Sequence, residues 1–541
     1  MLCPIAIRAR VARGGALSRS LCAIALLIGC AEEAPAPLPP RPEPLAALPT
    51  GGAAIESDRF RESVACAQCH TASDTALRDA SGRDISPYAL WQTSMMSLAA
   101  RDPFYLAVFQ EELARDPDGA SAIEAVCTRC HAGAGHEESN RTLGFDALVA
   151  GTDTAAQLGR DGVTCTVCHQ IDPANLGGET SFSGGFVIGY GREIYGPHEN
   201  PRVAPMQMFV DYTPAYSDHV ATSELCGTCH TVVVHDIVEQ ATYLEWRSSS
   251  VAITAQCQTC HVPTDDADGV RITGPIAKFP PNLSPRAPLG RHRFAGGNAY
   301  MLRLIASAEA WANTGVPAAA LEAAAVDAEA HLATAAALEL VPAGSAGARE
   351  LAVRVVNQTG HKLPTGYPSR RLWLHVTVRA ADRVIFESGG HDAGALADDD
   401  AITPHRDRIS AASQVQVWQA VLVDKEGAPT HRALDAARYG KDDRILPAGF
   451  APSAADRART QPVGVDGDDD FVAGSDTVTY ELGAVPAGSI VEVELMYQSL
   501  SPSVVDAIDR GRTPAGTRFS DLARAMPPLP IAITRAQLTF E

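Results

Sequence analysis

The pattern of apolar and polar residues divides the chain into three regions. Residues 56–300 are rich in loop-forming residues and hold most of the cysteines. Residues 301–340 are rich in Ala, Leu and Glu and predict a helical hairpin, with Pro317 at the start of its second helix. Beyond residue 340 the apolar period becomes two, which is the period of a strand with one buried face.

Two stretches show this alternation most clearly. In RLWLHVTVRA, Leu372 and Leu374 face one way and Trp373 and His375 the other, and IVEVEL alternates in the same way. Several such stretches are separated by Gly, Pro and Asp loops, which is typical of an antiparallel β-sandwich. The sequence therefore predicts an α+β fold: a mostly helix-and-loop domain at 56–300, the hairpin at 301–340 and a β-sandwich at 341–541.

The N-terminus predicts export. Residues 1–29 combine an arginine-rich start with an apolar run that is too short for a permanent membrane span. The run ends in LIGC, which resembles a lipobox with Cys30 as the lipidated residue; an ordinary cleaved signal that leaves Cys30 over is the alternative. Residues 30–55 are Pro-rich and predict an extended tether. We expect a periplasmic protein or one anchored to the outer membrane by lipid alone.

The chain of 541 residues carries a formal net charge of −20. This charge argues against nucleic acid and anionic membrane surfaces as partners. Redox partner proteins with basic docking surfaces are the better electrostatic match.

The order Cys-x-x-Cys-His occurs five times, and we number these motifs 1 to 5 along the chain. Chance would place His after all five cysteine pairs with a probability on the order of 10⁻⁸. The motif residues are Cys66, Cys69 and His70; Cys127, Cys130 and His131; Cys165, Cys168 and His169; Cys226, Cys229 and His230; and Cys257, Cys260 and His261.

Three chemistries were weighed for these motifs. Structural zinc sites pair two Cys-x-x-Cys knuckles, whereas the number here is odd. Local disulfides would use the thiols but give no reason for the histidine. Covalent haem uses all three groups, because the thiols form thioethers and the histidine binds the iron. The sequence predicts five haem c groups, with the ten cysteines as attachment points and the five histidines as proximal iron ligands.

From about residue 60 onward, the chain resembles multihaem cytochromes c related to the cytochrome c-552/c-554 family, in a form with an added C-terminal β domain. The stretches that carry the resemblance, besides the haem motifs, include WQTSMMSLAARDP, YGPHENP, HRFAGGN and QTGHKLPTGYPSRR. In such proteins a Trp-x-x-Ser segment presents a distal iron ligand two residues after its Ser. This implies Met96 here, with Met95 as the alternative or both as core-filling residues.

Four histidines are further candidates for the distal side of a haem: His198, His219, His292 and His361. His198 lies in a proline-stiffened loop, His219 shortly before motif 4, and His292 in a Gly-rich turn. His361 lies in GHKLPTG, a rigid loop that we expect to reach from the β domain to a haem. For each of the four, the alternative interpretation is an ordinary surface or loop histidine. His331, His405 and the acidic run 466–471 are expected in solvent.

The predicted function is electron transfer between periplasmic or cell-surface partners. One alternative is an enzyme that acts on a small nitrogen or sulfur compound at a five-coordinate haem. Another is a haem-bearing surface protein whose β domain binds a partner. The Cys-x-x-Cys-Lys motif of pentahaem nitrite reductases does not occur in the sequence.

Overall fold

The computed structural model describes residues 38–51, 55–234, 237–345, 347–396 and 402–541. Pro40–Glu541 forms one compact unit, so the domain boundaries placed at 300 and 340 stay predictions. The predicted signal segment 1–29, Cys30 and part of the predicted tether lie outside the described residues. Within the described ranges no helix has both the length and the apolar character needed to cross a bilayer.

Most helices in the cysteine-bearing region span eight residues or fewer, and a fifteen-residue helix follows that region. The helices are α1 Val64–His70, α2 Pro87–Trp91, α3 Pro103–Arg115, α4 Ala120–His131, α5 Gly133–Glu138, α6 Phe145–Ala150, α7 Thr154–Arg160, α8 Cys165–Cys168, α9 Val203–Val210, α10 Ser223–Gly227, α11 Thr242–Arg247, α12 Cys257–His261, α13 Ala299–Ser307, α14 Glu309–Ala312, α15 Ala318–Leu332, α16 Ala454–Thr460, α17 Pro502–Arg510 and α18 Pro514–Ala525. Four 3₁₀ turns lie at Pro173–Asn175, Glu179–Ser181, Asp218–Ala221 and Ser250–Ile253.

Most strands follow the last cysteine motif. They are β1 Glu193–Gly196, β2 Thr213–Tyr216, β3 Val232–Val234, β4 Ile237–Gln240, β5 Ala336–Ser345, β6 Ala348–Asn357, β7 Arg371–Ala380, β8 Arg383–Ser388, β9 His391–Asp392, β10 Ala395–Leu396, β11 Arg408–Ile409, β12 Val417–Val423, β13 Pro429–Thr430, β14 Arg438–Asp442, β15 Ser475–Gly483, β16 Ile490–Gln498 and β17 Ile531–Thr539.

Two sheets build the C-terminal core. One has the order β11-β15-β6-β5; the other has the order β13-β12-β7-β16-β17, with β14 also on β12 and β8 on β7. Apart from the parallel β11–β15 pair, the pairings in these sheets are antiparallel. Alternate apolar residues such as Val353, Val376 and Val493 are fully buried in one shared core. The α+β class is confirmed.

The first of these strands begins earlier than the sequence predicts. The hairpin was predicted to run to residue 340, but α15 ends at Leu332 and β5 starts at Ala336. The segment ALEL favours helix by composition, yet in β5 it pairs antiparallel with β6 along its whole length. Sheet pairing outweighs helix propensity here.

A second core joins helices from both ends of the chain. Helices α3, α13, α15 and α18 share buried residues that include Phe109, Leu304, Leu321 and Phe519. Helices α17 and α18 lie between β16 and β17 in the sequence, yet they pack on α3. This packing fixes the C-terminal sheet against the N-terminal region.

A buried charge network also joins the two regions. Lys362 Nζ lies 2.6 Å from Asp442 Oδ2, and Arg444 bridges Asp442 at 2.7 Å and Glu245 of α11 at 2.9 Å. All four residues are at most 5% exposed. Arg444 and Lys362 hold the pKa of Asp442 at about 2 although burial opposes ionisation. The network fixes the loop after β6 against α11.

Candidate haem-binding site

Each cysteine motif lies on or at the end of a short helix. Motifs 1, 2 and 5 form the last residues of α1, α4 and α12, while motif 3 occupies α8 and motif 4 follows from α10. Helical residues three and four apart lie on one face. The two thiols and the imidazole of a motif therefore point to the same side, as attachment to one porphyrin requires.

Four of the motifs line one cavity of about 1100 Å³. Motifs 1, 3, 4 and 5 contribute all their cysteines and histidines, and motif 2 contributes Cys130. Much of the remaining wall is apolar and includes Trp91, Phe186 and Leu289. An apolar cavity beside paired thiols matches a flat, largely apolar macrocycle.

Thiols from different motifs meet in pairs. Cys66 lies next to Cys165, Cys130 next to Cys229 and Cys226 next to Cys257, and no disulfide joins any of the ten motif cysteines. Motif 1 therefore adjoins motif 3, and motif 4 adjoins motifs 2 and 5. Burial, with a smaller contribution from Cys229, raises the pKa of Cys168 to about 12, which places motif 3 near motif 4.

Side-chain contacts lock these neighbouring motif helices together. Ser63, at the start of α1, accepts a hydrogen bond from the Cys165 amide. Ser223, at the start of α10, accepts one from the Cys257 amide at 2.9 Å and donates to Gln256 Oε1. Helix N-termini need such acceptors because their first amides lack partners within the helix.

Four motif histidines are held through Nδ1 by backbone carbonyls. His70 donates to Ile276 at 3.0 Å, His131 to Ala99 at 3.3 Å, His169 to Tyr195 at 2.6 Å and His261 to Ala295 at 2.7 Å. A metal-bound histidine commonly donates its second ring N–H in this way, which fixes its tautomer and orientation. The remaining nitrogen, Nε2, is the one that would bind iron.

Burial keeps the motif histidines neutral. Desolvation lowers the pKa of His131 and His230 to about 4, and it lowers the pKa of the other three motif histidines as well. A metal ligand must be deprotonated at the binding nitrogen. The protonation state of these histidines therefore fits haem ligation, and the geometry of motifs 1, 3, 4 and 5 fits haem groups in the shared cavity.

His292 lies opposite a motif histidine. Its ring centroid is 6.3 Å from that of His169, with 28° between the ring planes. With metal–nitrogen bonds of about 2 Å, two imidazoles on opposite sides of one ion have centroids roughly 6 Å apart. His292 Nδ1 donates to the Gly290 carbonyl at 2.9 Å, which leaves Nε2 for a metal.

His361 also lies in the cavity wall, on the loop between β6 and β7. Its Nδ1 donates to its neighbour's carbonyl at Lys362. Glu245 of α11 accepts hydrogen bonds from the Lys362 amide at 3.2 Å and from Thr365 at 2.6 Å. The β-rich region thus places an imidazole at the haem cavity through a loop anchored on α11.

Met96 and His198 line the same cavity and are half-buried. Met95 lines it as well, but Met95 also packs against the helical core. Its neighbour Met96 is held near motif 3 because its carbonyl accepts a hydrogen bond from Val163 at 2.9 Å. The structure brings both predicted candidates to the cavity without pairing either with a particular motif.

His219 is placed differently. It is buried, but its Nε2 donates to the Ile171 carbonyl at 2.9 Å, and its Nδ1 accepts from Ser217 Oγ at 2.7 Å. Both ring nitrogens are thus engaged by the protein, and the side chain does not line the cavity. A role as an iron ligand through Nε2 would require the hydrogen bond to Ile171 to break.

The sequence-based reasoning missed His331. It was expected in solvent, but it lines the cavity, and its ring centroid lies 5.3 Å from that of His261. On α15 the buried positions include Leu321, Ala328 and Leu332. His331 lies three residues after Ala328 and next to Leu332, so its helical position at the edge of the buried face was the available signal.

Comparison with known proteins shows which fold this chain resembles. No protein-family model matches the chain, and no curated protein matches it. The crystal structure of a penta-heme cytochrome c552 from Thermochromatium tepidum is similar, with a TM-score of 0.53 and 18% sequence identity. The match covers 89% of this chain and 99% of that one. The chain has a multihaem cytochrome c fold.

Within this cytochrome fold, the surroundings of motif 2 differ from the rest. His131 and Cys127 lie outside the shared cavity. Tyr105 stacks face to face on His131, with centroids 3.8 Å apart, and its buried hydroxyl has no hydrogen-bond partner among the described residues. Burial raises the pKa of Glu112 and Glu239 near Cys127 to about 7. Tyr105 and the carboxyl groups of Glu112 and Glu239 therefore lie around motif 2.

Proposed function

We propose that the protein is an exported penta-haem cytochrome c that transfers electrons between redox partner proteins. The main support is the apolar cavity onto which four complete Cys-x-x-Cys-His motifs open, with three of their imidazoles, those of His70, His169 and His261, oriented through Nδ1. Haem supplies one-electron redox chemistry. The chain supplies attachment, axial ligands and burial, each of which tunes the reduction potential.

The contacts between motifs support a continuous electron path. Thiol pairs link motif 1 to motif 3 and motif 4 to motifs 2 and 5, and motif 3 lies near motif 4. We propose that motifs 1, 3 and 4 form a central row from which motifs 2 and 5 branch. Motif 4 is the junction, so every route between the two branches passes through it.

We propose His292 as the distal ligand of the motif 3 haem, because its ring centroid lies 6.3 Å from that of His169 and its Nε2 is free for a metal. Met96, His198 and His361 remain proposals for other haems, and His331 joins them beside His261. His219 is the weakest candidate because the protein already engages both of its ring nitrogens.

Export, lipid attachment at Cys30 and a basic partner belong to the same proposal. Covalent haem attachment through Cys-x-x-Cys-His fits the signal-like residues 1–29. The charge of −20 favours a partner with basic docking surfaces.

The distal assignment is tested by the spin state of the oxidised protein in electron paramagnetic resonance. Replacing His292 by Ala should open one iron, so that one haem in five becomes high-spin while the other four keep their spectra. The matched control is His219→Ala, which removes a buried imidazole that is not proposed to bind iron and should leave the spin count unchanged. The reverse result would exchange the roles of the two histidines.

A second function is favoured by the surroundings of motif 2. Buried carboxyls with pKa values near 7 and an unpartnered tyrosine hydroxyl can handle protons at a haem whose distal side is open. The corresponding activity is reduction or oxidation of a small nitrogen or sulfur compound. Nitrite and sulfite reduction by the dithionite-reduced protein, compared with the Glu239→Gln variant, test it: turnover lost with Glu239 supports the activity, and equal rates or no turnover exclude it for these substrates.

The third candidate, a surface binding protein with a separate β domain, is less well supported. His361 and Tyr497 of the β-rich region line the haem cavity, and Tyr497 donates to the Gly297 carbonyl at 2.9 Å in the loop after His292. The β-rich region is therefore proposed as part of the haem site.

A further inference from the structure

A second cluster of metal-ligating side chains lies in the β-rich region, among residues expected in solvent. His405 precedes β11, Asp468 lies in the acidic run before β15, and Asp476 lies in β15. One potential ligand atom from each lies within 4.8 Å of the others. The side chains of His405 and Asp468 are 5% and 3% exposed, and Asp476 is 1% exposed. The cluster is therefore an interior feature.

Asp443 orients the imidazole of this cluster. Its Oδ2 lies 3.0 Å from His405 Nδ1, and its own position is fixed by Lys441 at 3.0 Å, by Gln416 at 2.9 Å and by the Gln419 amide at 2.9 Å. A carboxylate that accepts from one ring nitrogen directs the other nitrogen at the metal in many histidine sites. Here the other nitrogen, Nε2, faces Asp468 Oδ2 at 2.8 Å.

Asp476 gives an independent indication that the cluster binds a further group. Its Oδ2 accepts from the indole of Trp418 at 2.6 Å, while its buried Oδ1 has no hydrogen-bond partner among the described residues. A buried carboxyl oxygen without a partner is costly.

The charge of the cluster points the same way. Asp443, Asp468 and Asp476 are three carboxyl groups, and the cationic partners that the structure shows for them are Lys441 and His405. With all five groups ionised, the three carboxylates exceed the two cations by one charge, and an ion that displaces the His405 proton would face three carboxylates and one ammonium. A divalent ion would balance this excess.

We propose that His405 Nε2, Asp468 and Asp476 bind one divalent transition-metal ion. An imidazole with two carboxylates suits Zn²⁺ or Mn²⁺, whereas Ca²⁺ prefers oxygen ligands throughout. Donor atoms at about 2.1 Å from one ion lie within roughly 4 Å of one another. Small side-chain movements would therefore bring the three donor atoms to bonding distance from one ion. The ion would tie the acidic run to β15 and to the segment before β11.

The test uses the full-length holoprotein without a polyhistidine tag, dialysed against a chelator and titrated with ZnCl₂ or MnCl₂ by calorimetry. One equivalent should bind at this site. Asp468→Asn keeps the acceptor for the Asp470 and Phe471 amides, and Asp476→Asn keeps the acceptor for Trp418. Each should weaken binding by roughly 100-fold or more, while Asp443→Asn should weaken it by about 10- to 100-fold.

The matched control is Asp469→Asn, which makes the same charge change at the adjacent, exposed position. It should leave the affinity unchanged. Anomalous scattering at the zinc edge should place the ion between His405 and Asp476. Because Asp468→Asn lies at the edge of the cluster, it keeps the test valid if Asp476→Asn fails to fold. Binding that survives both substitutions, an ion located elsewhere, or tighter binding of Ca²⁺ than of Zn²⁺ would overturn the proposal.

Discussion

The cysteine-bearing region and the β-rich region stabilise themselves in opposite ways. In the β-rich region, strands from two sheets bury their own apolar side chains in one continuous core. In the cysteine-bearing region, apart from the helical core that α3 shares with α13, α15 and α18, small apolar clusters such as the one around Phe60, Leu158 and Val167 border a large apolar cavity. The first core is complete from the chain alone, whereas the second needs another apolar group. The contrast explains why short helices and loops suffice between the motifs.

The largest difference between the two regions should follow from removing haem attachment at motif 4, the motif that adjoins three others. In Cys226→Ser/Cys229→Ser, we expect the haem-to-protein ratio to fall by more than one, because motif 4 adjoins motifs 2, 3 and 5. Limited proteolysis should then cut within 56–300 first and spare the β-rich region. The pyridine haemochrome assay with quantified protein measures the ratio.

The matched control is Cys66→Ser/Cys69→Ser at motif 1, which adjoins only motif 3 among the thiol pairs described. This variant should lose about one haem. Equal losses in both variants, or cleavage of the β-rich region first, would show that the two regions do not differ as described.

The junction between the regions should be the next most sensitive place. Lys362→Met leaves Asp442 buried with one cation fewer, and removal of one partner from a buried ion pair costs about 3–5 kcal/mol. Chemical denaturation followed by β-sheet circular dichroism should show this loss, with the exposed Lys425→Met as control. A change below about 1 kcal/mol would show that the network does not hold the regions together.

The same network predicts a dependence on acid. The folded pKa of Asp442, about 2, lies below its ordinary value of 3.8. Its stabilising contribution is therefore complete above pH 4 and lost as the pH falls towards 2. The unfolding midpoint of the native protein should drop over this range, and Asp442→Asn should show a smaller drop.

The smallest expected effect concerns Asp161, which lies between motifs 1 and 3. Ser63 donates two hydrogen bonds to its Oδ2 at 2.8 Å, yet burial raises its pKa to about 7. As the pH rises through 7 the carboxyl ionises, and its negative charge should lower the potential of the adjacent haems, by at most about 59 mV per pH unit. Stability from the neutral form is lost over the same rise.

Redox titrations at several pH values measure this slope. Asp161→Asn should flatten it, while the exposed Asp146→Asn should keep it. An unchanged slope in Asp161→Asn would assign the pH dependence to other groups, such as the haem propionates.

Features written in local sequence were predictable. The five motifs predicted that cysteines and histidines would share a site, and four of them open completely onto one cavity. Period two predicted the strands of the C-terminal region, including β7 and β16, because one face of each is buried. These properties depend on neighbours along the chain.

Features set by contacts distant in sequence were not predictable. His331 belongs to the haem cavity only because α15 packs beside His261. His405 was expected in solvent, but folding encloses it between Asp443 and Asp468, which come from different segments. Helices α17 and α18 pack on α3, almost 400 residues away in sequence. Such positions follow from tertiary packing, which local periods do not report.

The central claim is that all five motifs carry covalent haem. Intact-mass spectrometry of the purified protein, denatured and reduced, tests it most directly, because thioether bonds survive conditions that release zinc and open disulfides. The account predicts one species whose mass exceeds that of the processed chain by five haem groups. A mass equal to that of the bare chain, or one with fewer than five haems in a homogeneous preparation, would contradict it.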